Sequence, residues 1–159
     1  IECIGVEGSK WAVEKAQERC GIKMLCLDLA DDLPFPNDDF AVVVCNQTIE
    51  HVDASTAKHM LQQSYRVLQT NGVIIINSPC YYNTKERHEP THINLYTPSR
   101  LRKEVESAGF EIIAEPNSPR PILGTNRLSS VIMDLIFRVV KTDFLSDSAS
   151  CIAQKRLEN

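Results

Sequence analysis

No run of basic residues, no Cys-x-x-Cys pair, no repeat and no long charge-free apolar stretch occurs in these 159 residues. Each absence excludes something. The densest cationic cluster, Lys85, Arg87, Arg100, Arg102 and Lys103, is broken by Glu86, Glu89 and Glu104, and the net charge is −4. Binding to a nucleic-acid backbone by the domain as a whole is therefore not expected. Six cysteines (Cys3, Cys20, Cys26, Cys45, Cys80, Cys151) without paired spacing speak against a disulfide framework or a cysteine zinc site. Three of them lie in apolar strand-like runs, where a thiol is usually a small hydrophobe. The longest apolar stretch, Leu128–Val140, contains Asp134 and Arg138, so no membrane span is expected. No signal-peptide pattern opens the chain, and the sequon Asn46-Gln47-Thr48 carries no weight here. A cytoplasmic protein with neither nucleic acid nor membrane as partner is the expectation, and its length suits one domain, residues 1–159.

What is present is an alternation of short apolar runs and amphipathic segments. Phe40–Cys45 is a continuous, β-branched run ended by Asn46-Gln47-Thr48, which predicts a strand of a parallel sheet buried on both faces. Val73–Ile76 reads the same way. Ile1–Glu7, Ile22–Leu27, Phe110–Glu115 and Ser148–Arg156 supply the other predicted strands. Helices are predicted over Lys10–Cys20 (Ser9 as N-cap, Gly21 as stop), from Asp53 or Ser55 to about Gln69, from Pro98 to Ala108, and over Thr125–Thr142. Thr70-Asn71-Gly72 is a predicted turn. Ser78–Tyr96 is polar, aromatic and irregular. The order implies an α/β layered sheet. In such folds ligands sit beyond the carboxyl ends of the strands, where Asn46, Gln47, Glu50 and His51 arrive together.

Several residues carry two readings. Glu7 ends a strand just before a helix, where a carboxylate can accept both hydroxyls of a ribose; it can equally be a solvated helix-end carboxylate. Asp28 could take an adenine amino group or be an ordinary loop residue. His88-Glu89-Pro90-Thr91-His92 spells the zinc-protease pattern, but Pro90 opposes the continuous helix that this pattern needs, so no metal is expected. His92, Asn94 and Tyr96 alternate as in an extended segment and either line a site or are satisfied loop residues.

Taken together, these stretches resemble the class I S-adenosylmethionine-dependent methyltransferases that act on small molecules. The resemblance rests on Gly5–Ser9, Asp28–Pro36 with its Leu33-Pro34-Phe35-Pro36, Phe40–Cys45 with Thr48–Val52, Arg66–Gly72 with Ile74–Ile76, and His92–Pro98 with Ala108–Phe110. It implies a Rossmann-like sheet with helices on both faces and S-adenosylmethionine as cofactor. Glu7 would hold the ribose, Asp28 and Leu29 the adenine, and Asn46 and Gln47 the methionine moiety. His51 and His92 would be candidate bases, and Tyr96 would face the small-molecule acceptor. Methyl transfer needs an in-line nucleophile more than protein chemistry, so positioning dominates.

Two departures stand beside the resemblance. The family's first strand and glycine-rich loop would precede Ile1, and Gly8 occupies a position that is usually apolar. The sheet is therefore expected to be truncated at its N-terminal side, and the 159 residues alone are expected to bind S-adenosylmethionine weakly. The alternative reading is a non-catalytic methyltransferase-like module acting as a protein partner; a nicotinamide enzyme fits Glu7 but not Leu33–Pro36 or Glu50-His51-Val52. With strand order 3-2-1-4-5-7-6 and the central strand absent, the gap is either closed by Ile1–Glu7 pairing with Phe40–Cys45 or met by a homodimer through residues 1–20. The dimer is the expectation, because exposed strand edges pair readily between chains.

Overall fold

The computed structural model describes residues 2–118 and 142–156. The chain forms two compact units, Ile1–Pro34 and Phe35–Asn159. The predicted helix over Thr125–Thr142 lies outside the described residues except for Thr142, as does the whole apolar stretch 128–140.

The first unit is β1 (Ile4–Glu7), α1 (Lys10–Cys20) and β2 (Lys23–Cys26). β1 and β2 pair in parallel, Ile4 opposite Lys23 and Glu7 opposite Cys26. The helix starts and stops where the sequence directs it. Ser9 Oγ accepts from the Ala12 N–H, and Gly21 adopts φ 62° while its N–H caps the Gln17 carbonyl. Its buried side is narrower than the spacing predicts. Val13 is buried, but Trp11 is 69% exposed and Cys20 also faces solvent.

The second unit is a four-stranded sheet in the order β3-β4-β6-β5. It comprises β3 (Phe40–Asn46), β4 (Leu68–Pro79), β5 (Phe110–Ala114) and β6 (Ser148–Lys155), with α2 (Ala54–Val67) and α3 (Pro98–Ser107). β3 and β4 are parallel; β6 runs antiparallel to both β4 and β5. Asp53 caps α2 through the Ser55 and Thr56 N–H groups, and Thr97 caps α3 through Arg100. The Thr70–Gly72 turn is absorbed into β4 as an irregularity. Phe40 pairs with Leu68 and Val42 already with Val73, so the intervening residues loop out, with Asn71 at φ 65°.

The core is one face of this sheet. Cys45, Ile74, Ile76, Ala149, Cys151 and Ala153 are buried, together with Ala57, Leu61, Leu101 and Val105 of the two helices. The opposite face corrects the expectation of strands buried on both sides. Val42 and Val44 are 51% and 64% exposed, and Ile75 beside them in register is exposed too. The α2 and α3 helices pack on the other side.

Each sheet reproduces its part of the expected order: β2-β1 stands for 3-2, and β3-β4-β6-β5 for 4-5-7-6. β1 pairs with β2 and β3 with β4. Among the described residues no helix is long and apolar enough to cross a membrane. None of the six cysteines is in a disulfide; Cys45, Cys80 and Cys151 are buried, whereas Cys3, Cys20 and Cys26 are exposed despite the apolar runs around two of them.

Candidate functional site

Residues proposed for the nucleoside lie in the first unit. Glu7 ends β1 half-buried, and its Oε1 accepts from the Ser9 N–H at 2.8 Å. That bond ties the carboxylate to the start of α1, where the helix dipole favours negative charge, and leaves Oε2 without a hydrogen bond among the described residues. Asp28 follows β2 in a turn: its Oδ1 accepts from the Ala30 N–H at 2.9 Å, and its carbonyl accepts from Asp31 at 3.0 Å. Leu29 is half-buried beside it.

The remaining candidates gather at the carboxyl end of β3 in the second unit. Gln47 sits at φ 52°, a left-handed conformation that costs a non-glycine residue energy and clusters at functional turns. It is held there by its N–H, which donates to the Asn77 carbonyl at 2.8 Å. Asn46 Oδ1 accepts from Asn77 Nδ2 at 3.0 Å, and Asn77 Oδ1 accepts from Ser150 Oγ at 2.7 Å. Sequence reasoning missed this support. Asn77 and Ser150 lie on β4 and β6, far from Asn46 in the chain, and no local pattern announces them.

A 3₁₀ turn over Ile49–His51 follows, with Ile49 and Glu50 buried and His51 exposed. The segment 80–96 folds back onto this turn. Asn94 N–H donates to the Glu50 carbonyl at 3.0 Å, and the His51 Nδ1–H donates to the Thr91 carbonyl at 3.0 Å. His92 Nδ1 lies 3.2 Å from the Glu86 carbonyl and 3.3 Å from Glu86 Oε2. A carbonyl can only accept, so both imidazoles carry a proton on Nδ1, and in the neutral ring the lone pair stands at Nε2. The two rings meet edge to face with centroids 4.8 Å apart. The zinc-protease pattern has no helix to work on: Glu86–His88 is a single 3₁₀ turn, Glu89 is extended, and the His88 ring is tied to the Thr84 carbonyl.

Tyr96 does not face an acceptor. It is fully buried, its hydroxyl donates to Glu104 Oε2 at 3.1 Å and accepts from Asn94 Nδ2 at 2.8 Å. Arg100 completes the network, reaching Asn94 Oδ1 at 2.7 Å, the Leu95 carbonyl at 3.0 Å and Glu104 Oε1 at 2.9 Å, with its guanidinium 4.4 Å above the Tyr96 ring. Burial first, and then the Glu104 carboxylate, push the phenol well above its usual range. Tyr96 is a structural anchor. Alternation along 92–96 could not reveal this, because the decisive partners come from α3.

Above that anchor lies an open recess of about 310 Å³ lined by Tyr81, Arg87, His92, Ile93, Asn94, Leu95 and Arg100. Its size is at the lower end for small-molecule sites.

Residues 1–72 match the family model of a methyltransferase domain. The fold of the chain is that of the S-adenosylmethionine-dependent methyltransferases. It superposes on a SAM-dependent methyltransferase from Archaeoglobus fulgidus with a TM-score of 0.74 at 20% identity, covering 98% of this chain and 76% of that one. The methyltransferase in complex with the Haloferax volcanii Trm112 methyltransferase activator gives 0.70 at 16%, covering 98% and 72%. The [4+2]-cyclase SpnF also gives 0.70 at 17%, covering 99% and 67%, so this fold carries more than one chemistry. No curated protein matches. S-adenosylmethionine is the cofactor that the methyltransferase family implies.

Proposed function

We propose that this methyltransferase domain transfers a methyl group to a small-molecule acceptor, with His51 or His92 taking the acceptor's proton. The observation that carries the reading is the pair of imidazoles, each fixed through Nδ1 and each offering Nε2 at the carboxyl end of the β3 segment. Glu7 would hold the cofactor ribose, Asp28 and Leu29 the adenine, and Asn46 and Gln47 the methionine part. Bound S-adenosylmethionine supplies an electrophilic methyl on its sulfonium. The protein's own work is then positioning and proton removal, the latter contributing typically 10²–10⁴-fold. The recess beside His92 carries Arg87 and Arg100, which favours an acceptor with an anionic group.

Six cysteines without a disulfide suit a reducing compartment, and we place the protein in the cytoplasm. For partners we propose a homodimer through residues 1–20, supported by the exposed Trp11 and by the edge of β1 that carries no strand among the described residues. Light scattering at micromolar concentration would give twice the chain mass, and a clean monomer would end that proposal.

The test of activity is transfer of a labelled methyl from S-adenosylmethionine into a fractionated cell extract. Label in the small-molecule fraction, reduced 10²-fold or more by His51→Ala or His92→Ala, is the expected result. Label confined to protein or RNA would contradict it.

A further inference from the structure

Glu50 is the feature that methyl transfer leaves unexplained. Its side chain is 0% exposed, and neither carboxylate oxygen has a hydrogen-bond partner among the described residues. A buried carboxylate left in that state is costly: an unpaired charge costs several kcal/mol in real proteins, and buried charges are found paired or coordinating metals. Its neighbours indicate which remedy applies. His51 Nε2 lies 4.0 Å from Glu50 Oε1, and one donor atom from each of Glu50, His51 and His92 falls within 4.8 Å of the others.

We infer that Glu50, His51 and His92 form a binding site for one divalent transition-metal cation. The two imidazoles are already prepared for it. In metal sites a ligating histidine donates its other ring N–H to a carbonyl or carboxylate, which fixes the tautomer and raises the basicity of the ligating nitrogen. Here the Thr91 carbonyl holds His51 and the Glu86 carbonyl and carboxylate hold His92, all through Nδ1. Two imidazoles and one carboxylate match the facial triad with open positions, a donor set suited to zinc, iron, cobalt or manganese rather than to magnesium or calcium. With bonds of about 2.1 Å, adjacent donors sit about 3.0–3.4 Å apart around such a cation. The cluster is therefore roughly 1.5 Å wider than a loaded site, and the exposed His51 ring is the ligand with room to close it. The sequence hid this site. Glu50 and His51 are adjacent, His92 comes forty-one positions after His51, and the pattern that does look metallic, His88–His92, uses the wrong first histidine.

The chemical consequence rests on the methyl transfer proposed above; the site itself does not. With a cation in place both imidazole lone pairs are occupied. The cation would then acidify an acceptor hydroxyl bound at an open position, the proton would leave to solvent water, and the resulting oxyanion would take the methyl from the sulfonium. An oxygen acceptor is thereby favoured over an amine.

The experiment uses protein purified without a histidine tag, stripped with chelator and titrated with cobalt(II) and with zinc(II), read by visible absorption and by metal analysis after gel filtration. One equivalent bound is expected, with affinity falling at least tenfold in Glu50→Gln and in His92→Ala and unchanged in His88→Ala. Thermal melting supplies a second readout should Glu50→Gln not fold: zinc raises the wild-type midpoint and leaves folded His92→Ala unmoved. Less than a tenth of an equivalent bound by the wild type, or binding that survives His92→Ala or disappears in His88→Ala, would overturn the site. None of these outcomes depends on methyl transfer, so failure of the activity and failure of the metal site are separable.

Discussion

Tyr96 and His92 sit four residues apart in one extended segment, yet one is sealed in and the other edges a recess. What separates them is partnership. The Tyr96 hydroxyl serves Asn94 and Glu104 at once, whereas His92 spends Nδ1 on Glu86 and keeps Nε2. Tyr96→Phe should therefore act on stability. Leaving Asn94 and Glu104 short of a partner costs about 1–3 kcal/mol, measurable by urea denaturation, with KM for any acceptor unchanged. A residue that touched the acceptor would show the reverse split. The cysteines divide on the same principle. Burial, followed by the nearby Glu50 charge, pushes the Cys45 thiol up to about 12; burial, followed by Cys45, does the same for Cys151. At pH 8 a thiol reagent should count three fast equivalents, Cys3, Cys20 and Cys26, and six after denaturation. The sign for stability follows from folded values raised above the unfolded one. The contribution is complete below about pH 9, where unfolded thiols hold their protons, and is lost as the pH climbs from there towards 12. A chemical-denaturation midpoint that stays flat over that range would contradict the assignment.

At the level of elements, local chemistry was legible and burial was not. Ser9 and Gly21 mark α1 at both ends, Asp53 marks α2, and Thr97-Pro98 marks α3, because caps are decided by residues next to the helix. Strand positions were legible from apolar runs. The claim that Phe40–Cys45 is buried on both faces failed at Val42 and Val44, because covering a face depends on elements distant in sequence. Gly109, between α3 and β5, shows a tertiary demand on a local choice. It adopts φ 99°, and a Cβ there would come within 3.0 Å of the Tyr65 ring, which itself packs edge-on against Phe110 at 5.1 Å. Gly109→Ala meets both a disfavoured backbone conformation and a filled space. It should destabilise the fold by more than about 1 kcal/mol in urea denaturation. A neutral result would mean that Tyr65 moves aside freely.

For the whole molecule, the strand order was legible only through resemblance. Six short strands admit many orders, and neither periodicity nor composition selects β3-β4-β6-β5; the Leu33–Pro36, Glu50–Val52 and Ala108–Phe110 stretches do. Candidate site residues followed the same rule. Glu7, Asp28, Asn46, Gln47 and His51 all stand at or just beyond strand ends, where the general rule for α/β sheets puts ligands. Asn77, Ser150 and the Glu86 clamp, which hold some of them in place, come from segments that no motif connects.

The central claim is that this fold binds S-adenosylmethionine through the Glu7 carboxylate. Calorimetric titration of S-adenosylhomocysteine into a lengthened chain, one that carries the strand and glycine loop the resemblance places before Ile1, tests it most directly. The account predicts binding that weakens in Glu7→Ala by about 1.5–3 kcal/mol, roughly 10- to 150-fold, the loss expected for charge-assisted hydrogen bonds. Equal affinity in wild type and Glu7→Ala would make Glu7 a helix-end carboxylate and contradict the claim.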